Sequence, residues 1–497
     1  PTTPVRCGRG GRWRSAKVLP GCHTTLCIME YAVRPDTTYR QSASRFARRA
    51  FNRLLPQTWC CPVILGQHTL GIGRRGVVII NLEPHGLRLE SASSGLTRKW
   101  RLPISVWLPL AIFAGARTFD FVALLIASKS QVGLPFNHGR LFVQSPMPAN
   151  PGYLGVITNW DGQWYKSIAV DGYQLPSGDR SDPNGSWAWA FLPLFPMTVR
   201  SLMWLTGMGF GAVASVVNLA AGAAAMLVLY KLLEKPGGRF LATSGVALTS
   251  TFLSAPILQM AYSEALALLL VCSALLLIRS RRYGWAFIAT VLLSLTRLIT
   301  PALTIVVAIH VLNRLRKRRK DPLSVAEDVW LVSLVLISLG GVWLWSSSVK
   351  LLFGAGTGAS TRAQDLVEHP VLGWFSGLPS LLGWPGAGLV VIISIVLVLF
   401  SAAKRVTGTW GLEVRTWLFS YPILIFAATP ITTGVFRYML LAFPVPLLAV
   451  GAPALRRFPT VRTGLLLAMC LVGLLFQIFW INHSLVFDAT PADTLMP

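Results

Sequence analysis

From Trp107 onward the chain alternates long apolar runs with short connectors, and Lys and Arg gather in the connectors. A helical run of about 20 apolar residues crosses the ~30 Å hydrocarbon core of a bilayer, because a helix satisfies its own backbone hydrogen bonds there. Such runs fall at roughly 104–127, 211–231, 241–257, 260–278, 284–300, 301–314, 328–348, 386–403, 416–432, 437–453 and 464–482, which predicts about eleven spans. The expected fold is therefore all-α, a polytopic helical membrane protein. Composition agrees. Charged residues are 13% of the 497, about half the usual ~25%, and hydrophobic residues are 53%, which excludes a soluble enzyme. The net charge of +26 comes in clusters between apolar runs, so no nucleic-acid partner is expected.

Those clusters orient the chain. They are Arg98-Lys99-Trp100-Arg101, Lys231/Lys235/Arg239, Arg279/Arg281/Arg282, Arg314 to Lys320, Lys404/Arg405/Arg415 and Arg456/Arg457/Arg462. With the spans above all six fall on one side, which the positive-inside rule makes the cytoplasm. The outer face then receives the loop 128–210, the loop 349–385 and a short tail, 484–497, with Asp488 and Asp493 and no Lys or Arg. Trp187–Leu205 is long enough to cross, but crossing would invert every later cluster. It contains Pro193, Pro196 and Arg200 and is read as an outer-face interfacial or re-entrant helix.

Residues 1–100 hold 16 Lys+Arg against Glu30, Asp36, Glu83 and Glu90, and five of the seven cysteines. The segment shows no helical or strand periodicity, no metal-ligand spacing and no early secretory signal. It is expected to be a basic, disordered cytoplasmic segment or to lie upstream of the true start, ahead of a transmembrane domain over 101–483. Cys272 and Cys470 fall inside apolar runs and read as inert core residues.

A charge in mid-bilayer costs about 2.5–3.5 kcal/mol even on insertion scales, so charges inside apolar runs mark partners or cavities. Arg200, Glu264, Arg297 and Arg437 stand out, each near the outer end of its run. Two readings stay open: snorkelling or interhelical pairing, and a cationic lining for the phosphate of a lipid carrier, which guanidinium binds bidentately. In the outer loop, Trp160, Trp164 and Ile168 recur at i, i+4 and i+8, an amphipathic helix that ends at Gly172. Asp161 lies at its N-terminal end, where the dipole favours a carboxylate. It is a helix cap or a catalytic base, and the aromatic residues are a membrane anchor or surfaces for sugar rings. Asp171 reads as a turn residue, and Asp179 and Asp182 as loop solvation.

The segment Trp160-Asp161-Gly162-Gln163-Trp164-Tyr165, with Ile168-Ala169 and Gly172-Tyr173, resembles the first outer loop of PIG-V-like mannosyltransferases, integral-membrane glycosyltransferases of the GT-C class. Phe191-Leu192-Pro193-Leu194-Phe195-Pro196 with Arg200, Tyr262-Ser263-Glu264-Ala265, Thr296-Arg297 and Arg437-Tyr438 through Phe443-Pro444 are similar to further family segments, in order. Leu298 stands where the family often has Pro. The resemblance covers about 104–483.

The resemblance implies a GT-C-like fold and inverting transfer of mannose from polyprenyl-phosphate-mannose to a hydroxyl of a lipid-linked or cell-envelope glycan, at the outer face. It makes Asp161 the base. Arg297, Arg437 and Arg200 become cations for the leaving phosphate, and Glu264, Trp160, Trp164, Tyr165 and Tyr438 substrate-binding residues. Arg outnumbers Lys 35 to 10, which points to a bacterial, actinobacterial-type member in a plasma membrane. The expected partners are the donor, the acceptor glycan and membrane lipid. No cofactor or metal is indicated, and a divalent-metal requirement stays open. The alternatives are a flippase for polyprenyl-linked sugars and a non-catalytic lipid-binding subunit of a transferase complex.

Overall fold

Prolines and glycines decide where the apolar runs become helices and where they stop. The computed structural model describes residues 103–134, 146–173, 188–353, 404–429 and 434–487, with the short stretches 27–28, 79–83, 86–89 and 383–386 and the single residues Leu389 and Ile392. The chain divides into two units, Pro1–Arg101 and Leu102–Pro497.

In the first unit β1 (Cys27–Ile28), β2 (Ile79–Glu83) and β3 (Gly86–Leu89) form an antiparallel sheet in that order. Ile80 sits opposite Cys27 on one side and Leu89 on the other. These strands lie in the segment where the sequence shows no strand period. The β-branched pair Ile79-Ile80 suits a pleated strand, but runs this short give no readable period.

The second unit is helical. Helix α1 (Ile104–Ala127) leads through two short helices, α2 (Gly152–Val156) and α3 (Asp161–Asp171), to α4 (Leu194–Thr206). Then come α5 (Phe210–Ser250), α6 (Glu264–Arg279), α7 (Tyr283–Ser294), α8 (Thr300–Arg316) and α9 (Val325–Phe353). After α10 (Leu412–Ala428) the chain forms α11 (Gly434–Tyr438), α12 (Leu447–Gly451) and α13 (Pro459–Trp480). The largest apolar core lies among α5, α6, α7, α8 and α10, with Tyr230, Leu268, Leu303 and Trp417 fully buried in it.

The span count is corrected. Among the described residues four helices are long and apolar enough to cross a membrane: Ile104–Ser130, Phe210–Ser250, Val325–Leu352 and Pro459–Leu485. They make this an integral membrane protein. The expected spans 211–231 and 241–257 begin on separate arms of α5, which breaks at Gly238 (φ 80°). Pro236 removes an amide donor there, and only glycine takes that φ without strain. The runs at 260–278 and 301–314 give helices of 16 and 17 residues, about 24–26 Å long. The run at 437–453 breaks around Pro444 and Pro446 into short pieces. The run at 386–403 lies almost wholly outside the described residues, as do Trp187, Asp179 and Asp182.

Helix α4, within the stretch read as interfacial, has 13 residues, about 20 Å, too short to cross. It buries Phe195, Pro196 and Val199 and leaves Trp204 85% exposed.

Polar pins tie the connectors. Ser324 and Glu327 satisfy each other's backbone amides at the start of α9, a reciprocal cap legible as S-x-x-E. Tyr283, His310 and Glu413 form a buried chain across α7, α8 and α10, with links of 3.0 and 2.8 Å. In the connector before α9, Arg281 and Arg314 bond to Asp321 and hold its carboxyl below the usual range.

Candidate functional site

The site begins with a strained turn. Trp160 has φ 52° and ψ −120°, a conformation that side-chain-bearing residues rarely adopt and that persists only where its surroundings over-determine it. They do so here. Asn159 Nδ2 donates to Gln131 Oε1 at 2.7 Å and to the Leu485 carbonyl at 2.9 Å. Tyr262 Oη donates to the Asn159 carbonyl at 3.1 Å, and the Ala261 amide to the Ile157 carbonyl at 2.8 Å. A Cβ on Gly162 would stand 3.1 Å from that same Ile157 oxygen, so the close approach explains the glycine of the motif.

This turn makes Trp160 the N-cap and Asp161 the first residue of α3. The cap reading of Asp161 is therefore corrected. Its carboxylate, at the favourable end of the helix dipole, reaches across to Arg437. Asp161 Oδ2 lies 2.6 Å from Arg437 Nη1. Arg437 Nε also bonds to Glu264 Oε1, and Glu264 Oε1 lies 2.6 Å from Arg297 Nη1. The result is one chain of alternating charge, Asp161–Arg437–Glu264–Arg297, of zero net charge.

Three further segments present these groups. Glu264 is the first residue of α6, Arg297 follows the end of α7, and Arg437 rides on the single-turn helix α11. That short helix is pinned at both sides, by Ser254 Oγ donating to the Phe436 carbonyl at 2.8 Å and Tyr421 Oη to the Tyr438 carbonyl at 3.0 Å. Guanidinium faces are covered by aromatic rings. Arg437 Cζ is 4.4 Å from the Tyr262 ring centre, and Arg297 Cζ is 5.3 Å from that of Tyr438.

Exposure grades along the chain of charge. Glu264 is 0% exposed and Arg437 4%, whereas Arg297 is 15% and Asp161 33% exposed. The two ends of the chain are partly accessible and the middle is enclosed. Within the buried centre Glu264 Oε2 has no hydrogen-bond partner among the described residues. A carboxylate that deep persists because two guanidiniums share its other oxygen.

Other expected site residues take different places. Arg200 does not join the cluster: its Nη1 donates to the carbonyls of Ala169 and Val170, both at 3.3 Å, at the C-terminal end of α3. It is a cation satisfying the last carbonyls of a helix. Trp164 and Tyr165 are buried at 7% and 4% exposure, Trp164 stacked on Phe191 and Tyr165 edge-on to Phe191 and Phe195. The expectation of open aromatic faces for sugar rings is corrected for both; they bind α3 to α4. Burial pushes the Tyr165 hydroxyl up to about 12, so it stays protonated and donates to Ser263 Oγ at 3.0 Å, one residue before Glu264. Trp160 packs on Phe487, ring centres 5.0 Å apart, with 9% exposure. Tyr438 meets the cluster through its ring over Arg297.

One buried pair escaped the sequence reading. Arg117 and Asp120, in the middle of α1, are 4% and 0% exposed and 2.8 Å apart. Arg117 also donates to the Ser250 carbonyl at 2.6 Å and to that of Ala255, bracing the segment that runs on to Tyr262 and Glu264. Asn218 holds the same segment through the carbonyls of Met260 and Tyr262. The signal was present: two charges at i and i+3 within an apolar run are as anomalous as Glu264 in its own.

No model of a known protein family and no characterised protein matches the chain. Among solved structures it is similar to the oligosaccharyltransferase of Archaeoglobus fulgidus, crystallised in complex with Zn and sulfate. The likeness has 14% identity and a TM-score of 0.38, covering 76% of this chain and 53% of that one. This chain thus spans about half the length of that protein, and the similarity is a distant one in backbone path.

Proposed function

We propose that this protein is a membrane-embedded glycosyltransferase of the GT-C class, PIG-V-like, that moves mannose from polyprenyl-phosphate-mannose to a hydroxyl of a lipid-linked or envelope glycan at the outer face of a bacterial plasma membrane. One observation carries the reading. Glu264, Arg297 and Arg437 stand out as charges in apolar runs and Asp161 at a helix start, all four fall in segments that carry the family resemblance, and they meet in one ion-paired cluster.

Each role follows from the chemistry. The acceptor oxygen attacks the anomeric carbon as its proton passes to Asp161, the carboxylate of the cluster most open to solvent. The bond from that carbon to the phosphate oxygen breaks, and the sugar inverts in the single displacement. The departing phosphate gains negative charge, which the guanidiniums of Arg297 and Arg437 stabilise. Glu264 holds the two arginines in register and keeps the resting site neutral. The donor's phosphate competes with Asp161 for Arg437, so its arrival releases the carboxylate for the acceptor.

The test supplies radiolabelled polyprenyl-phosphate-mannose to membranes that contain the protein, with total lipid as acceptor. Label is expected to enter the glycolipid fraction in proportion to the protein. Incorporation independent of it favours the flippase or the non-catalytic subunit. In the same assay Arg297→Ala is expected to raise the apparent KM for the donor about 10–100-fold, the value of one charge-assisted phosphate contact. Loss of the protein from the membrane without a change in KM would mark Arg297 as structural.

A further inference from the structure

Three of the segments that carry basic clusters meet around a cavity that the proposed transfer does not use, and two arginines of one cluster line it. The bend of α5 at Gly237 and Leu241, the connector at Thr409 and Trp410, and the start of α13 enclose about 290 Å³. Arg456 and Arg462 line it, and among the described residues no acidic one does. Among the described residues neither arginine has a carboxylate within salt-bridge distance. Arg456 Nη2 makes one long bond, 3.4 Å to Thr409 Oγ1. Arg462 is held in place rather than neutralised: its Nε donates to the Val450 carbonyl at 2.7 Å, and its guanidinium lies 3.8 Å from the centre of the Phe240 ring.

The position adds a second argument. Arg456 lies three residues before α13 and Arg462 in its first turn, and α13 is one of the four helices able to cross the membrane. Residues at the start of a span sit at the level of the lipid headgroups. The N-terminus of this 22-residue helix has no side-chain cap, so its partial positive charge adds to that of the arginines. The volume lies at the low end of the roughly 300–1,000 Å³ of small-molecule sites, which suits a phosphate and the few atoms attached to it.

We infer that Arg456, Arg462 and Thr409 form a binding site for the phosphate of an anionic membrane lipid headgroup. The guanidiniums hold the phosphate oxygens, the Thr409 hydroxyl donates to one of them, and the apolar wall of Leu241 and Trp410 meets the glycerol end of the chains. Basic pockets between membrane helices recognise headgroups by this chemistry. The site is separate from Asp161 and independent of the transfer reaction.

The test compares Arg456→Glu with Arg457→Glu, which changes the charge equally one residue away but does not line the cavity. The full chain, purified in neutral detergent, is given phosphatidylglycerol or phosphatidylcholine, and retained lipid is counted by native mass spectrometry. Wild type and Arg457→Glu are expected to retain phosphatidylglycerol over phosphatidylcholine, and Arg456→Glu to lose that retention about tenfold or more. Equal retention by the two variants, or no preference in the wild type, overturns the site. A second arm titrates inorganic phosphate and follows the thermal midpoint. Protection by phosphate alone as large as that by phosphatidylglycerol overturns the lipid assignment, while a smaller effect supports it.

Discussion

Arg437→Ala is expected to destabilise the folded protein by about 3–5 kcal/mol, the loss typical of removing one partner of a buried ion pair. Arg437 is the most connected group of the site. It joins Asp161 on α3 to Glu264 on α6 and lies under the Tyr262 ring, with 4% of its side chain exposed. Without it Glu264 keeps Arg297 alone and has one oxygen with no partner at all. Arg437→Lys retains the charge but cannot span both carboxylates, so it should recover only part of the loss. Pairing Arg437→Met with Glu264→Leu removes the buried carboxylate as well, and should be more stable than Arg437→Ala while staying inactive. Thermal unfolding in detergent reads all three. A loss under about 1 kcal/mol for Arg437→Ala would mean that the pair behaves like an exposed one.

Asp161→Asn is expected to lower mannosyl transfer at least about 10²–10⁴-fold, the share a general base contributes. Insertion and abundance should stay at wild-type level, because the amide has the shape of the carboxylate, its oxygen still accepts from Arg437, and the side chain is one-third exposed. This separation makes the pair of predictions informative. Arg437→Ala should lower stability and activity together, whereas Asp161→Asn should lower activity alone. Unchanged transfer in Asp161→Asn would remove it as the base, whatever the cluster's structural worth.

The site was legible to the extent that its chemistry violated its surroundings. Glu264, Arg297 and Arg437 are charges in apolar runs, and the cost of placing them there drew attention to each. Arg200 met the same criterion and belongs elsewhere, because a charge at the end of a helix has a cheaper use in satisfying carbonyls than in binding phosphate. Trp164 and Tyr165 show the reverse error. Their stripe at helical spacing correctly predicted α3, but the spacing does not say which face is covered, and Phe191 and Phe195 cover it. The count of spans failed for a related reason. Hydropathy reports a preference for lipid over about 20 residues, while prolines such as Pro444 and Pro446 set helix continuity residue by residue.

What the sequence determined by itself is the environment: apolar runs too long for a soluble core, basic connectors between them, and a WD-containing helix that stops at Gly172. These are local properties, written in neighbouring residues through hydropathy, helical period and the φ of 85° that glycine accepts. The tertiary structure alone decided which charges are partners. Asp161 and Arg437 stand 276 positions apart, and nothing local to either specifies a distance of 2.6 Å. It follows from the packing of α3, α6 and α11 around Tyr262, since the buried Glu264 needs a counter-charge and only that arrangement supplies two.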